Sequence, residues 1–156
     1  MGRVVVRAWQ AAYRSIMPDE YLDGLSAEDR ASLWRQQIQT AGGDGLLVID
    51  VDGEVAGLAA FGPCQDDGAA GDDGQLYAIN VDPAHWGQGL GRALLRAATA
   101  DLARQGFQHL VLWVVPDNQR ARGLYESEGW TFDDVSRDEE MFGVAVTVVR
   151  YSRPLA

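Results

Sequence analysis

The stretch LYAINVDPAHWGQGLGRALL, residues 76–95, changes its hydrophobic period halfway along. Gln75 to Val81 reads as a strand, Asp82-Pro83 ends it, and a glycine turn at 87–91 leads into RALLRAATADLARQ, a helix closed by Gly106. Glycines at 87, 89 and 91 carry no Cβ, so backbone N–H groups at the positive helix end can converge on an anion. The same glycines also suit a plain strand-to-helix turn, and three glycines alone do not separate the two readings. Spacing excludes two nucleotide motifs: a dinucleotide fingerprint needs Gly at 92, which is Arg, and a P-loop needs Gly-Lys-Ser/Thr, which is absent.

Working outward, HLVLWVV (109–115) is an apolar, β-branched run suited to a central strand, Pro116-Asp117-Asn118 turns the chain, and Gln119 to Glu128 forms a short helix ended by Gly129. Trp130–Asp133 and Val144–Tyr151 supply two more strands. Upstream, LLVIDV and EVAGLAAFG flank Asp52-Gly53, a type I′ hairpin signature. Residues 7–16 have helical spacing and stop at Pro18, and a second helix begins near Ser26 and runs through Ile38 to Gly42-Gly43. The order α-α-β-β-β-α-β-α-β-β, with no repeat or linker, predicts an α/β fold in a single domain over residues 1–156.

Composition narrows the function. The chain has 156 residues, 47% hydrophobic and 23% charged, enough to bury one core. No apolar run approaches the roughly 20 residues of a membrane span, and no secretory h-region opens the chain, so a cytoplasmic protein is expected. The lone Cys64 excludes an internal disulfide and a cysteine-based metal site. A net charge of −10 opposes nucleic-acid binding. All 13 basic residues are arginine, which reads as the codon bias of a GC-rich bacterial genome.

LYAINVDPAHWGQGLGRALL together with VLWVVPDNQRARGLYESEGW (111–130) resembles the acetyl-CoA-binding core of the GNAT superfamily of N-acetyltransferases, and the likeness extends from about Trp9 to Tyr151. It rests on a strand ending in V-D-P, a turn similar to Q/R-x-x-G-x-G/A, and Asn118, Ala121, Tyr125 and Gly129-Trp130 at the spacing of the family's second motif. The resemblance implies a mixed, mostly antiparallel central sheet flanked by helices. It further implies that Ile79 and Val81 offer backbone groups to the pantetheine arm and that the amides of Gly87, Gln88, Gly89, Leu90, Gly91 and Arg92 cradle the pyrophosphate. Asn118 would meet the cofactor near its pantetheine or thioester, Ala121 would allow close approach, and Tyr125 would lie beside the sulfur. Trp86 departs from the pattern, which favours Arg or Gln there.

Acetyl transfer needs a neutral amine, a stabilised oxyanion and a proton for the departing thiolate. Tyrosine, with a reference pKa near 10, is protonated at neutral pH, so Tyr125 is the candidate acid. Read without the family, Tyr125 is a core aromatic on one helix face with Ala121 and Leu124. The family often carries Glu at the position of Gln75, whose amide cannot accept a proton. Asp72, Asp73 or a held water would substitute as base, or the amine would arrive neutral.

Trp9, Tyr13 and Tyr77 are candidates for the acceptor side, with Gln75, although helix-face aromatics also serve as core. His85 and His109 read as turn and strand-entry residues. The acidic run 65–74 reads as a solvated, mobile loop. No metal site is expected. The leading expectation is transfer of an acetyl group from acetyl-CoA to a primary amine of a small molecule or peptide. The alternative is a catalytically silent acyl-CoA-binding sensor. Only MGRVVV precedes the first helix, where family members begin with a strand, so that strand is missing or a stub at Val4–Val6, and an open edge would favour a homodimer.

Overall fold

A computed structural model describes residues 2–14, 17–26, 28, 45–141 and 144–155. The second helix expected from Ser26 to Gly42 falls almost wholly outside the described residues. The elements are α1 (Gly2–Ala12), α2 (Asp19–Asp23), β1 (Gly45–Val51), β2 (Glu54–Pro63), β3 (Asp73–Val81), a 3-10 turn (Pro83–His85), α3 (Leu90–Arg104), β4 (His109–Val114), α4 (Gln119–Ser127), β5 (Thr131–Met141) and β6 (Val144–Pro154). The strands form one six-stranded sheet in the order β1-β2-β3-β4-β6-β5, antiparallel except for the β3–β4 pair.

Helices cover both faces. On one, Leu94, Leu95, Ala98 and Leu102 of α3 and Tyr125 of α4 pack on Ala59, Phe61, Leu76, Leu110, Leu112 and Tyr151. On the other, Val5 and Trp9 of α1 and Tyr13 just past its end recur every four residues and meet Leu58, Ala60 and Val148, with Leu22 of α2 beside them. Fully burying such a side chain contributes about 1.5–3 kcal/mol, several times the modest helix penalty of a β-branched residue. This balance explains one correction. Val4–Val6 are buried within α1 and form no strand stub, because Val5 begins the Val5/Trp9/Tyr13 stripe. Among the described residues, no strand precedes α1 and no helix is long and apolar enough to cross a membrane.

The hairpin at Asp52-Gly53 has positive φ at both residues (54° and 83°), as the Asp-Gly signature requires. The last two strands are longer than expected from Trp130–Asp133 and Val144–Tyr151, because β5 pairs with β6 as far as Met141. The acidic run is also tied down more than its composition suggests. Both Asp66 carboxylate oxygens accept the Trp113 indole N–H at 3.1 Å, and Arg137 Nη1 lies 3.0 Å from Oδ1.

One irregularity positions the site. β3 and β4 pair only through Asp73–His109, Gly74–Leu110 and Gln75–Val111. Just beyond, a bulge inserts Tyr77 against β2, since Ala78 faces Ala60 while Leu76 faces Phe61. A bulge bends its strand, and from here β3 leaves β4, which keeps its full pairing with β6. The two strands therefore open like a V toward their C-terminal ends.

Candidate active site

The open end of the V holds a cleft of about 460 Å³, within the usual range for small-molecule sites. Its walls come from α1, the end of β3, the glycine turn, the start of α3 and the α4 face.

Along β3, hydrogen bonding alternates. Asp82 N–H donates to Ala56 O at 2.7 Å, and Asn80–Leu58 is the pair two residues back in the same register. By this alternation the N–H and C=O groups of Ile79 and Val81 face away from β2, into the opening. The Val81 carbonyl is already used, accepting the Trp86 indole N–H at 2.9 Å. Among the described residues, the Ile79 groups and the Val81 N–H meet no backbone partner.

At the start of α3, Gly89 adopts the left-handed conformation (φ 81°) and caps the helix with no side-chain hydrogen bond. The first intrahelical bond is Ala93 N–H to Gly89 O, so the amides of Leu90, Gly91 and Arg92 have no helical acceptor. A Cβ built at Gly87 or Gly89 meets nothing within 4 Å, so open space lies beside those orphan donors. Arg92 brings its amide to this end, while its guanidinium is paired with Glu128 at 2.7 Å. Arg120 instead stacks on Trp86, 4.1 Å from the ring centroid, and meets no carboxylate among the described residues.

At the other end stand the hydroxyls. Tyr125 is held by ring contacts to Trp130 and Tyr151 (centroids 6.3 and 6.2 Å). Tyr151 also anchors α4, accepting from Arg122 Nε at 2.9 Å and donating to Glu126 at 2.7 Å. Burial holds the Tyr125 phenol well above its ordinary value, so it stays protonated across the physiological range. Tyr13 reaches the same cleft from just past the end of α1, its pKa also raised by burial. Asn118 caps α4, its Oδ1 accepting from Ala121 N–H at 3.2 Å.

Of the residues expected at the site, Ile79, Val81, Gly87, Gly89, Leu90, Gly91, Arg92, Asn118, Ala121, Tyr125, Trp9 and Tyr13 line this one cleft, and the exposed Gln88 does not. Gln75 and Tyr77 are elsewhere. Gln75 sits where β3 and β4 still pair, its Oε1 accepting from Gln65 N–H at 3.0 Å, and the Tyr77 hydroxyl donates to Pro63 O. Asp72 and Asp73 flank the same closed end, and no carboxylate is among the described residues of the cleft wall. Asn80 and His85 are among the wall residues that the sequence did not point to. Asn80 is only 7% exposed, and a polar residue inside the apolar run YAINV is a signal that could have found it. His85 keeps its place in the turn after β3, but it also lines the cleft with a buried Nδ1 that has no hydrogen-bond partner.

Known proteins resemble this chain in sequence and in fold. The chain is 34% identical over 119 residues to the uncharacterized N-acetyltransferase YuaI of Bacillus subtilis, a match covering 76% of this chain and 66% of that one. It is 47% identical over 57 residues to the mycothiol acetyltransferase of Kocuria rhizophila, covering 36% of this chain and 19% of that protein. The chain therefore spans less than two thirds of either relative. In fold it is similar to the PaiA N-acetyltransferase of Thermoplasma acidophilum, solved in complex with coenzyme A, with a TM-score of 0.73 at 16% identity over 98% of this chain and 89% of that one. A sequence model of the acetyltransferase (GNAT) family matches residues 7–130, and the chain belongs to that family.

Proposed function

We propose that this protein transfers the acetyl group of acetyl-CoA to a primary amine of a small molecule or peptide by direct attack on the thioester. The observation that carries the reading is the uncapped, glycine-lined start of α3 opening onto the same cleft as a protonated, buried tyrosine. An anion-binding end and a proton-donating end in one cleft suit a substrate with a pyrophosphate at one end and a thioester at the other. Membership of the GNAT family and a structural neighbour solved with coenzyme A support the same substrate.

The residues divide the work. The amides of Leu90, Gly91 and Arg92 hold the pyrophosphate. The free backbone groups of Ile79 and Val81 take the pantetheine amides as an added strand would. Tyr125 gives its phenolic proton to the departing thiolate and recovers a proton from the nitrogen of the new amide through water. With no carboxylate on the described wall, the amine enters already neutral, and turnover rises with pH as the amine loses its proton.

The silent-sensor alternative rests on the amide at Gln75 and on the short stretch before the first helix; Gln75 lies outside the cleft, so the first of these grounds does not bear on chemistry there. Incubating the protein with acetyl-CoA and a panel of amines, while following free CoA, tests the proposal. Stimulated release with one acceptor class is expected, and it should persist in chelator because backbone donors supply the positive field. Tight acetyl-CoA binding with no stimulated release across the panel would leave the sensor reading in its place.

A further inference from the structure

Asn118 uses its amide at both ends. Its Oδ1 accepts from Ala121 N–H, and this bond fixes which way the amide faces, because a backbone N–H can meet only the oxygen. The Nδ2 then faces Tyr13 and donates to Tyr13 Oη at 3.3 Å. A phenol has one proton to donate and lone pairs with which to accept. In this bond Tyr13 is the acceptor, so its own proton is directed elsewhere, and no described residue receives it. The side chain is buried one residue past the end of α1, its ring packed on Trp9 with centroids 4.6 Å apart. The open space left to its O–H is the cleft that Tyr125 also lines.

We propose that Tyr13 is a second catalytic tyrosine, donating its hydrogen bond to the thioester carbonyl oxygen, and that Asn118 is the residue that positions it. The proposal rests on the acetyl-transfer reading above. The amine nitrogen forms a bond to the carbonyl carbon, and the C=O π pair moves onto oxygen, where Tyr13 O–H meets the growing charge without giving up its proton. When that pair returns, the C–S bond breaks, the thiolate takes the Tyr125 proton, and the proton released from nitrogen restores Tyr125. Two phenols thus hold two roles, one for the oxyanion and one for the leaving group. Loss of an oxyanion donor typically lowers turnover about 10²–10³-fold.

The carbonyl stretch of [1-13C]acetyl-CoA bound to the protein reads this hydrogen bond without an acceptor amine. In the wild type the bound band should lie at lower wavenumber than that of free acetyl-CoA. Tyr13→Phe keeps the ring against Trp9 and should return the band toward the free position, with affinity by calorimetry changed by no more than about fivefold, the worth of one neutral hydrogen bond. Asn118→Ala should move the band part of the way, and the double variant should match Tyr13→Phe alone. A bound band unaffected by Tyr13→Phe would overturn the proposal while leaving acetyl-CoA as the substrate. A double variant shifted further than Tyr13→Phe would mean that Asn118 meets the carbonyl directly and would overturn its positioning role. Failure of acetyl-CoA to bind at all would remove both the proposal and the reading beneath it.

Discussion

Two helices begin on the wall of the same cleft, and they begin differently. α4 is capped in the ordinary way, Asn118 Oδ1 filling one of its orphan amides. α3 starts on a left-handed glycine that offers no side-chain acceptor, so its first amides stay free. A side-chain cap is worth about 1 kcal/mol of stability. Its absence at α3 leaves donors whose natural acceptor is an anion from outside the chain, whereas the cap at α4 spends the donor on structure and aims the rest of the amide at Tyr13. One helix end leaves its donors open to the cleft, and the other ties its cap to Tyr13.

The sharpest way to break this comparison is to place an anion at the free end. Gly89→Asp puts a carboxylate where the pyrophosphate is expected, and like charges about 4 Å apart at an effective dielectric near 20 repel by about 4 kcal/mol, so acetyl-CoA affinity should fall by about 10²–10³-fold. Calorimetry on the folded variant measures it. At the other end, Tyr125→Phe should leave affinity nearly unchanged and lower turnover about 10²-fold where chemistry limits the rate. Burial raises the Tyr125 pKa in the folded state, so the folded protein holds that proton more tightly than the unfolded chain. Its contribution to stability is therefore fully present below the unfolded value of about 10 and is lost as pH rises through the folded one. Thermal midpoints above pH 10 should fall less steeply in Tyr125→Phe than in the wild type.

Arg120, which has no carboxylate partner among the described residues, should matter less. Arg120→Gln is expected to weaken acetyl-CoA about fivefold at low salt and less at high salt, as for an exposed charge. The smallest effect is expected at Gln75. Gln75→Ala should leave turnover per folded molecule unchanged, because that side chain braces residue 65 at the closed end of the V.

Much of this was legible in the residues themselves. The period change at 76–95, the Asp-Gly hairpin and the apolar run 109–115 each express a local rule, and each element formed where its rule applies. What stayed hidden depends on register and on distant partners. The Tyr77 bulge that opens the sheet cannot be seen in an alternating strand, and the same bulge leaves Gln75 and Tyr77 outside the cleft. Val4–Val6 look like a strand until the stripe running from Val5 to Tyr13 finds Leu58 and Val148 across the sheet. The bond from Asn118 to Tyr13 joins residues 105 positions apart, and no local pattern records it.

The central claim, that the free amides of α3 receive the pyrophosphate of acetyl-CoA, is tested most directly by following backbone amide resonances of the 15N-labelled protein during an acetyl-CoA titration. The amides of Leu90, Gly91 and Arg92 should shift most, saturating at the calorimetric affinity, while that of Ala121, already bonded to Asn118, should move much less. Saturable binding that leaves Leu90, Gly91 and Arg92 unmoved would contradict the claim.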